Sequence, residues 1–339
     1  MKIYLNYLIK TKWLQTIVMA LIPTFIFVLS LFLSSPRLTG MNPNRAPQDF
    51  GISVIFISIV LIIIVVFRFS GLRSPKEVDL YYALPISRKK LYLVQSLFGF
   101  IQLMIVWTIM FLLGIFTLLL ISSIAYRWEF ILLLYPIVAF YLTVLYGITS
   151  FVFLRANTIF DGIAFIVLFH VLFLFISLFL TNGIIDIFTM FGLNPFYSLS
   201  KWTTYLLSLT FPNTSSYIIH RFLESTWSIG INTFIFTALS ICAFIYNYKT
   251  IEHEKTENIG QISSDIFGYR LYIPLTIIFA VASVFFVETI ITWLLIGIFV
   301  SAGFIGFFIF RRTAKIKLID LGYILTPTII GIILGLLIN

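Results

Sequence analysis

Charge is what this sequence has least of. Only 10% of its 339 residues are Asp, Glu, Lys or Arg, against about 25% in a soluble globular domain. That scarcity excludes a water-facing globule of this size. Histidine is nearly as rare: His170, His220 and His253 are the only three. They fall in different compartments of the topology derived below, so they cannot share one metal. Cys242 is the only cysteine, which rules out an intramolecular disulfide and leaves the redox compartment open. No G-x-x-x-x-G-K-[ST] run is present, so the chain has no P-loop to cradle nucleotide phosphates. No H-E-x-x-H is present either. The nearest run, His253-Glu254-Lys255-Thr256-Glu257, has glutamate where the second histidine belongs and reads as a solvated charge run. A G-x-S-x-G nucleophile elbow is also missing. These absences argue against an enzyme and against a cofactor or metal held by this chain.

Apolar residues are abundant instead. They make up 60% of the chain, and mean hydropathy is +1.09. Several apolar runs exceed the roughly 20 residues that carry a helix across hydrocarbon. Lipid offers no partner to backbone N–H and C=O groups, so each such run must be helical. The pattern predicts an all-α, polytopic transmembrane bundle with spans at 14–34, 51–68, 94–122, 130–154, 160–181, 226–247, 271–287, 290–310 and 320–338. The span at 271–287 is short. The division near Glu288 also reads as a break within a re-entrant hairpin, which leaves eight spans. The first apolar run is longer than a secretory h-region and no A-x-A site follows it, so it reads as a span, not a signal peptide.

Lys and Arg give the spans a direction. With the N-terminus inside, the inner segments hold 17 of the 22 basic residues. Only Arg37, Arg45, Arg127, Lys201 and Arg221 fall outside. That asymmetry supports a cytoplasmic N-terminus in a cell membrane and explains the net charge of +9 without nucleic acid. Nine spans put the C-terminus outside; eight put it inside. Residues 1–13 carry Lys2, Asn6 and Lys10 on one helical stripe. They read either as an interfacial helix on the inner leaflet or as a plain basic flank.

Within the spans, His170 is the only ionisable group near mid-membrane. Such a group invites a functional reading, and a catalytic His170 would make the chain an intramembrane enzyme. No acid faces it at that depth, which favours a hydrogen bond to a neighbouring Ser, Thr or carbonyl. Asp161 and Glu288 sit at span ends, where a side chain snorkels readily to water.

Three polar segments interrupt the spans, at 68–93, 182–225 and 248–270. In the first, Pro75 ends the preceding apolar structure. Glu77-Val78-Asp79-Leu80-Tyr81-Tyr82 then has helical potential, and Ala83-Leu84-Pro85-Ile86 forms an apolar turn. Ser87 is an N-cap for a helix beginning Arg88-Lys89-Lys90. Such a compact, amphipathic, aromatic element suits insertion into a groove on a partner protein. The three basic residues themselves suit anchoring to anionic lipid.

The run from Glu77-Val78-Asp79 through Leu84-Pro85-Ile86-Ser87-Arg88-Lys89-Lys90-Leu91 resembles the loop between the second and third helices of type-2 ABC exporter permeases. The resemblance covers roughly residues 1–250. In that family the loop contains the coupling helix that docks on the ATPase subunit. It implies docking roles for Glu77, Asp79, Tyr82, Leu84, Pro85 and Arg88. It also implies a re-entrant helix pair in the outer segment 182–225 and an N-terminal interfacial helix. Tyr248-Lys249 and Glu257-Asn258-Ile259-Gly260 resemble the basic, E-x-x-G motif after the sixth helix of a larger subgroup, which includes Ytr-type permeases and is similar to exporters of phenol-soluble modulins. Further helices are expected there. The chain is thus divided into a six-span core at 1–250 and, at 251–339, a linker with two or three more spans.

The resemblance implies a passive half of a two-part pump in a bacterial membrane. ATPase subunits on separate chains would hold ATP and Mg, and a second permease copy or sibling would complete the pathway. Aromatic and aliphatic spans suit a hydrophobic or amphipathic cargo, such as an antimicrobial or cytolytic peptide, or else a lipid or cell-envelope compound. An ion-coupled carrier would need midplane acids. A non-transport sensor or immunity protein would share the topology without an ATPase.

Overall fold

The computed structural model describes residues 2–38, 46–79, 83, 85–121, 128–179, 226–254, 256–263, 265–285, 292–312, 315 and 318–338. Among the described residues it contains nine α-helices and no strand. These are α1 (Lys2–Leu38), α2 (Ala46–Phe69), α3 (Arg88–Ile121), α4 (Trp128–Leu154), α5 (Ile159–Phe179), α6 (Thr226–Thr250), α7 (Tyr269–Val284), α8 (Thr292–Arg311) and α9 (Leu318–Ile338). Seven helices among the described residues are long and apolar enough to cross a membrane. The chain is a multi-pass, all-helical membrane protein.

The other two predicted spans coincide with α6, a helix of 25 residues, and α7, one of 16. At 1.5 Å per residue α7 is about 24 Å long, less than the roughly 30 Å of hydrocarbon. The predicted division near Glu288 and the re-entrant pair at 182–225 lie outside the described residues.

The predicted interfacial helix at the N-terminus is corrected. Lys2 through Leu38 is one uninterrupted helix. No glycine or proline precedes Pro23 to break it. Its first turns are also packed: Leu8 is buried with Val94 and Phe98, and Tyr4 and Leu5 lie against them. Leu5 and Leu8 of the predicted apolar set are thus taken up by a neighbouring helix, whereas Ile3, Ile9 and Trp13 stay exposed.

The chain forms two compact units. The first comprises 1–72, 77–151 and 208–254. At its centre α3 packs against α1, α2 and α6. The second comprises 73–76, 152–207 and 255–339. At its centre the short α7 packs against α5, α8 and α9. Glycines let these helices approach: a Cβ at Gly331 of α9 would stand 2.8 Å from the Ile278 carbonyl oxygen of α7. These units do not follow the 250/251 boundary expected from sequence. Helix α5 belongs with the C-terminal helices, because Phe165 packs edge-on to Tyr269 and Tyr272 at 4.8 and 6.0 Å.

Candidate functional site

In the first unit, the predicted docking segment is a turn leading into a capped helix. Val78 is buried, while Glu77 and Asp79 on either side of it are exposed. The Ala83 N–H donates to the Asp79 carbonyl at 2.9 Å, closing a helical turn. Pro85 is exposed. The Leu91 N–H donates to the Ser87 carbonyl at 2.9 Å, so α3 starts where the sequence places its N-cap. Tyr82 and Leu84 lie outside the described residues.

The two basic residues after Ser87 are engaged by the end of α6. Arg88 Nη1 donates to the Glu254 carbonyl at 2.5 Å. Lys89 Nζ is 2.7 Å from Glu252 Oε2 and 5.5 Å from the centre of the Tyr248 ring. A lipid-anchoring role therefore fits only Lys90, which is exposed. This end of α3 is braced by protein contacts that sequence reading missed, since the partners lie some 165 residues away.

Deeper in the same unit runs a polar seam. Gln95 Nε2 donates to Tyr4 Oη at 3.1 Å, and Gln102 Nε2 donates to Thr16 Oγ1 at 2.5 Å. The glutamines are two turns apart on α3, so they present one face to α1. Arg68, counted from sequence among the loop charges, is only 5% exposed. Its Nη2 donates to Gln15 Oε1 at 2.6 Å, and its guanidinium stands 4.8 Å from the centre of the Phe98 ring. The i, i+7 spacing of Gln95 and Gln102 was the readable signal for this seam. Phe100, Met104 and Ile105 form a shallow, open apolar patch on α3 itself.

In the second unit, three distant pieces of chain meet in a polar knot. Arg73, 3% exposed, donates through Nη2 to the Leu154 carbonyl. Gly260 has φ +88° and donates its N–H to the Asn157 carbonyl at 2.9 Å. The predicted E-x-x-G glycine therefore occupies a backbone state open to glycine and disfavoured for other residues. Glu257 of the same motif lies in a 3-10 turn (Thr256–Asn258) and is exposed. Ser263 links the pieces. Its Oγ accepts from the Asn157 N–H at 2.8 Å and donates to Asp161 Oδ2 at 2.7 Å.

Asp161 is the centre of that knot. It is 4% exposed, so it does not snorkel as its place at a span end suggested. Tyr269 Oη donates to its Oδ1 at 3.2 Å, and Arg312 Nη2 lies 4.0 Å from its Oδ2. Its N–H donates to Thr158 Oγ1 at 3.1 Å, which makes Thr158 the N-cap of α5. Two further ion pairs share this end: Arg155 with Asp265 at 3.5 Å, and Arg311 with Asp320.

His170 Nδ1 lies 2.7 Å from the Ile166 carbonyl one turn back. A carbonyl only accepts, so Nδ1 carries the proton and the ring is tied to its own helix rather than to a neighbour. Among the described residues no group of three or more His, Cys, Asp or Glu could hold a metal ion. No protein-family model, no curated protein and no solved structure matches this chain.

Proposed function

We propose that this chain is the membrane-spanning permease subunit of a type-2 ABC exporter, energised by ATPase subunits on separate chains. The observation that carries the reading is the segment Glu77–Arg88. Two exposed acids flank a buried valine, and an exposed proline leads into a helix that begins at Ser87. Such a lever is held at its base and free at its acidic face. Bracing of Arg88 and Lys89 by the end of α6 gives a docked partner something rigid to push. In this reading the ATPase holds ATP and Mg, a second permease subunit completes the path, and the polar ends described above face the cytoplasm of a bacterial cell.

Hydrophobic or amphipathic peptides are the proposed cargo, with lipid or cell-envelope compounds as the other class. The long apolar helices suit a cargo of that character. An ion-coupled carrier is less well supported: the buried acids Asp161 and Asp320 stand in the first turns of their helices, not at the midplane where coupling ions bind.

The test is Glu77→Lys/Asp79→Lys in the full chain, co-expressed with candidate ABC ATPase subunits. Co-purification is expected to fall, or ATP hydrolysis to lose its response to cargo. Unchanged association together with unchanged transport would sink the assignment.

A further inference from the structure

Three acids at the polar end of the second unit are already engaged, and Glu257 is exposed on its 3-10 turn. Asp161 accepts from Ser263 and Tyr269, Asp265 faces Arg155, and Asp320 faces Arg311. Three cations at that end look outward. Arg270 and Lys315 are exposed, and half of the Arg312 side chain is exposed beyond its approach to Asp161. Arg270 is the second residue of α7, Arg312 directly follows α8, and Lys315 stands between α8 and α9. All three therefore sit at the mouths of apolar helices, where long basic side chains reach for lipid headgroups.

The side chains around them are of the wrong kind for water. Ile266 is 69% exposed and Leu318 is 89% exposed, with Phe267 also exposed nearby in sequence. Apolar groups beside basic ones are the composition of a surface that lies in a membrane interface. The backbone adds a separate observation. Arg312 has φ +53°, and among the described residues it is the only non-glycine with positive φ. L-residues avoid that state, and here it turns the chain back after α8 with an arginine where glycine is usual.

We infer that this end of the second unit binds anionic phospholipid. Arg270, Arg312 and Lys315 meet the headgroup phosphates, and Ile266, Phe267 and Leu318 enter the interface beneath them. The inference stands whether or not the chain is an exporter subunit. Lipid is favoured over a protein partner because the cations sit at helix mouths and the exposed groups beside them are apolar.

The test uses the full chain in mixed phosphatidylcholine–phosphatidylglycerol nanodiscs, re-extracted in mild detergent, with retained lipid counted by native mass spectrometry. The wild-type chain is expected to retain phosphatidylglycerol preferentially. Arg270→Gln/Lys315→Gln, which leaves the Arg312–Asp161 approach intact, is expected to weaken that preference about tenfold or more. Its melting temperature in pure phosphatidylcholine should match the wild type. If the double variant melts early, Lys315→Gln alone carries the test, with an effect of about fivefold. An unchanged lipid preference overturns the inference. So does displacement of the lipid by inorganic phosphate, which would mark a soluble-anion site. Loss of a co-purifying protein with lipid retained would assign the surface to a protein partner, and would overturn it too.

Discussion

A side chain on Gly260 would place its first carbon 2.8 Å from Cγ of Pro75. The residue also holds φ +88°, so two separate penalties fall on any replacement. Gly260→Ala is expected to destabilise the second unit by about 1–3 kcal/mol, read as a lower melting temperature in detergent. Adding Pro75→Ala should restore only the part due to the clash, since the backbone penalty stays. Full recovery by the double variant would show that φ contributes nothing.

The Asp161 knot predicts an order of damage. Tyr269→Phe removes one donor and is expected to cost about 1 kcal/mol. Ser263→Ala should cost more, because the Asn157 N–H loses its acceptor and Asp161 loses a donor at once. Asp161→Ala should be worst, at about 3 kcal/mol or more, for it strands the Ser263 and Tyr269 hydroxyls together. Thermal melts of the three variants decide this. Equal losses would mean that Asp161 is not the hub.

Helix contacts in the second unit predict a difference between two glycines. At Gly331 an added Cβ meets the Ile278 carbonyl at 2.8 Å, and backbone cannot step aside. At Gly306 the nearest atom is the Ile273 side-chain tip, at 3.0 Å. Gly331→Ala is expected to lower the yield of monodisperse protein sharply, and Gly306→Ala to be tolerated. Equal behaviour of the two would contradict the close approach of α9 to α7.

His170 makes its hydrogen bond to its own helix. His170→Gln is therefore expected to leave melting temperature and any transport activity close to wild type. Complete loss of activity in a well-folded variant would return His170 to the role of a functional group.

Local rules explain what could be read in advance. The apolar runs had to be helices and Ser87 had to precede one; the E-x-x-G resemblance singled out Gly260 without the backbone reason that its φ of +88° supplies. Long-range partners explain what could not. Arg68 follows an apolar run and was counted with the loop, but α2 continues through Phe69 and turns it towards Gln15, 53 residues away. Residues 2–13 looked able to lie flat because the stripe on Val94 and Phe98 that covers Leu8 is far along the chain. The segment before α3 was legible as turn, proline and cap, whereas the bracing of Arg88 and Lys89 was not.

The wiring of Asp161 sets a schedule for biosynthesis. Ser263 and Tyr269 lie 102 and 108 residues downstream of it. At about 5–20 residues per second, helix α5 reaches the bilayer roughly 5–20 seconds before its carboxylate has those partners. During that interval the carboxylate at the mouth of α5 has water in place of those partners. Synthesis through Tyr269, the first residue of α7, ends that interval, and Arg312 after α8 adds a further contact.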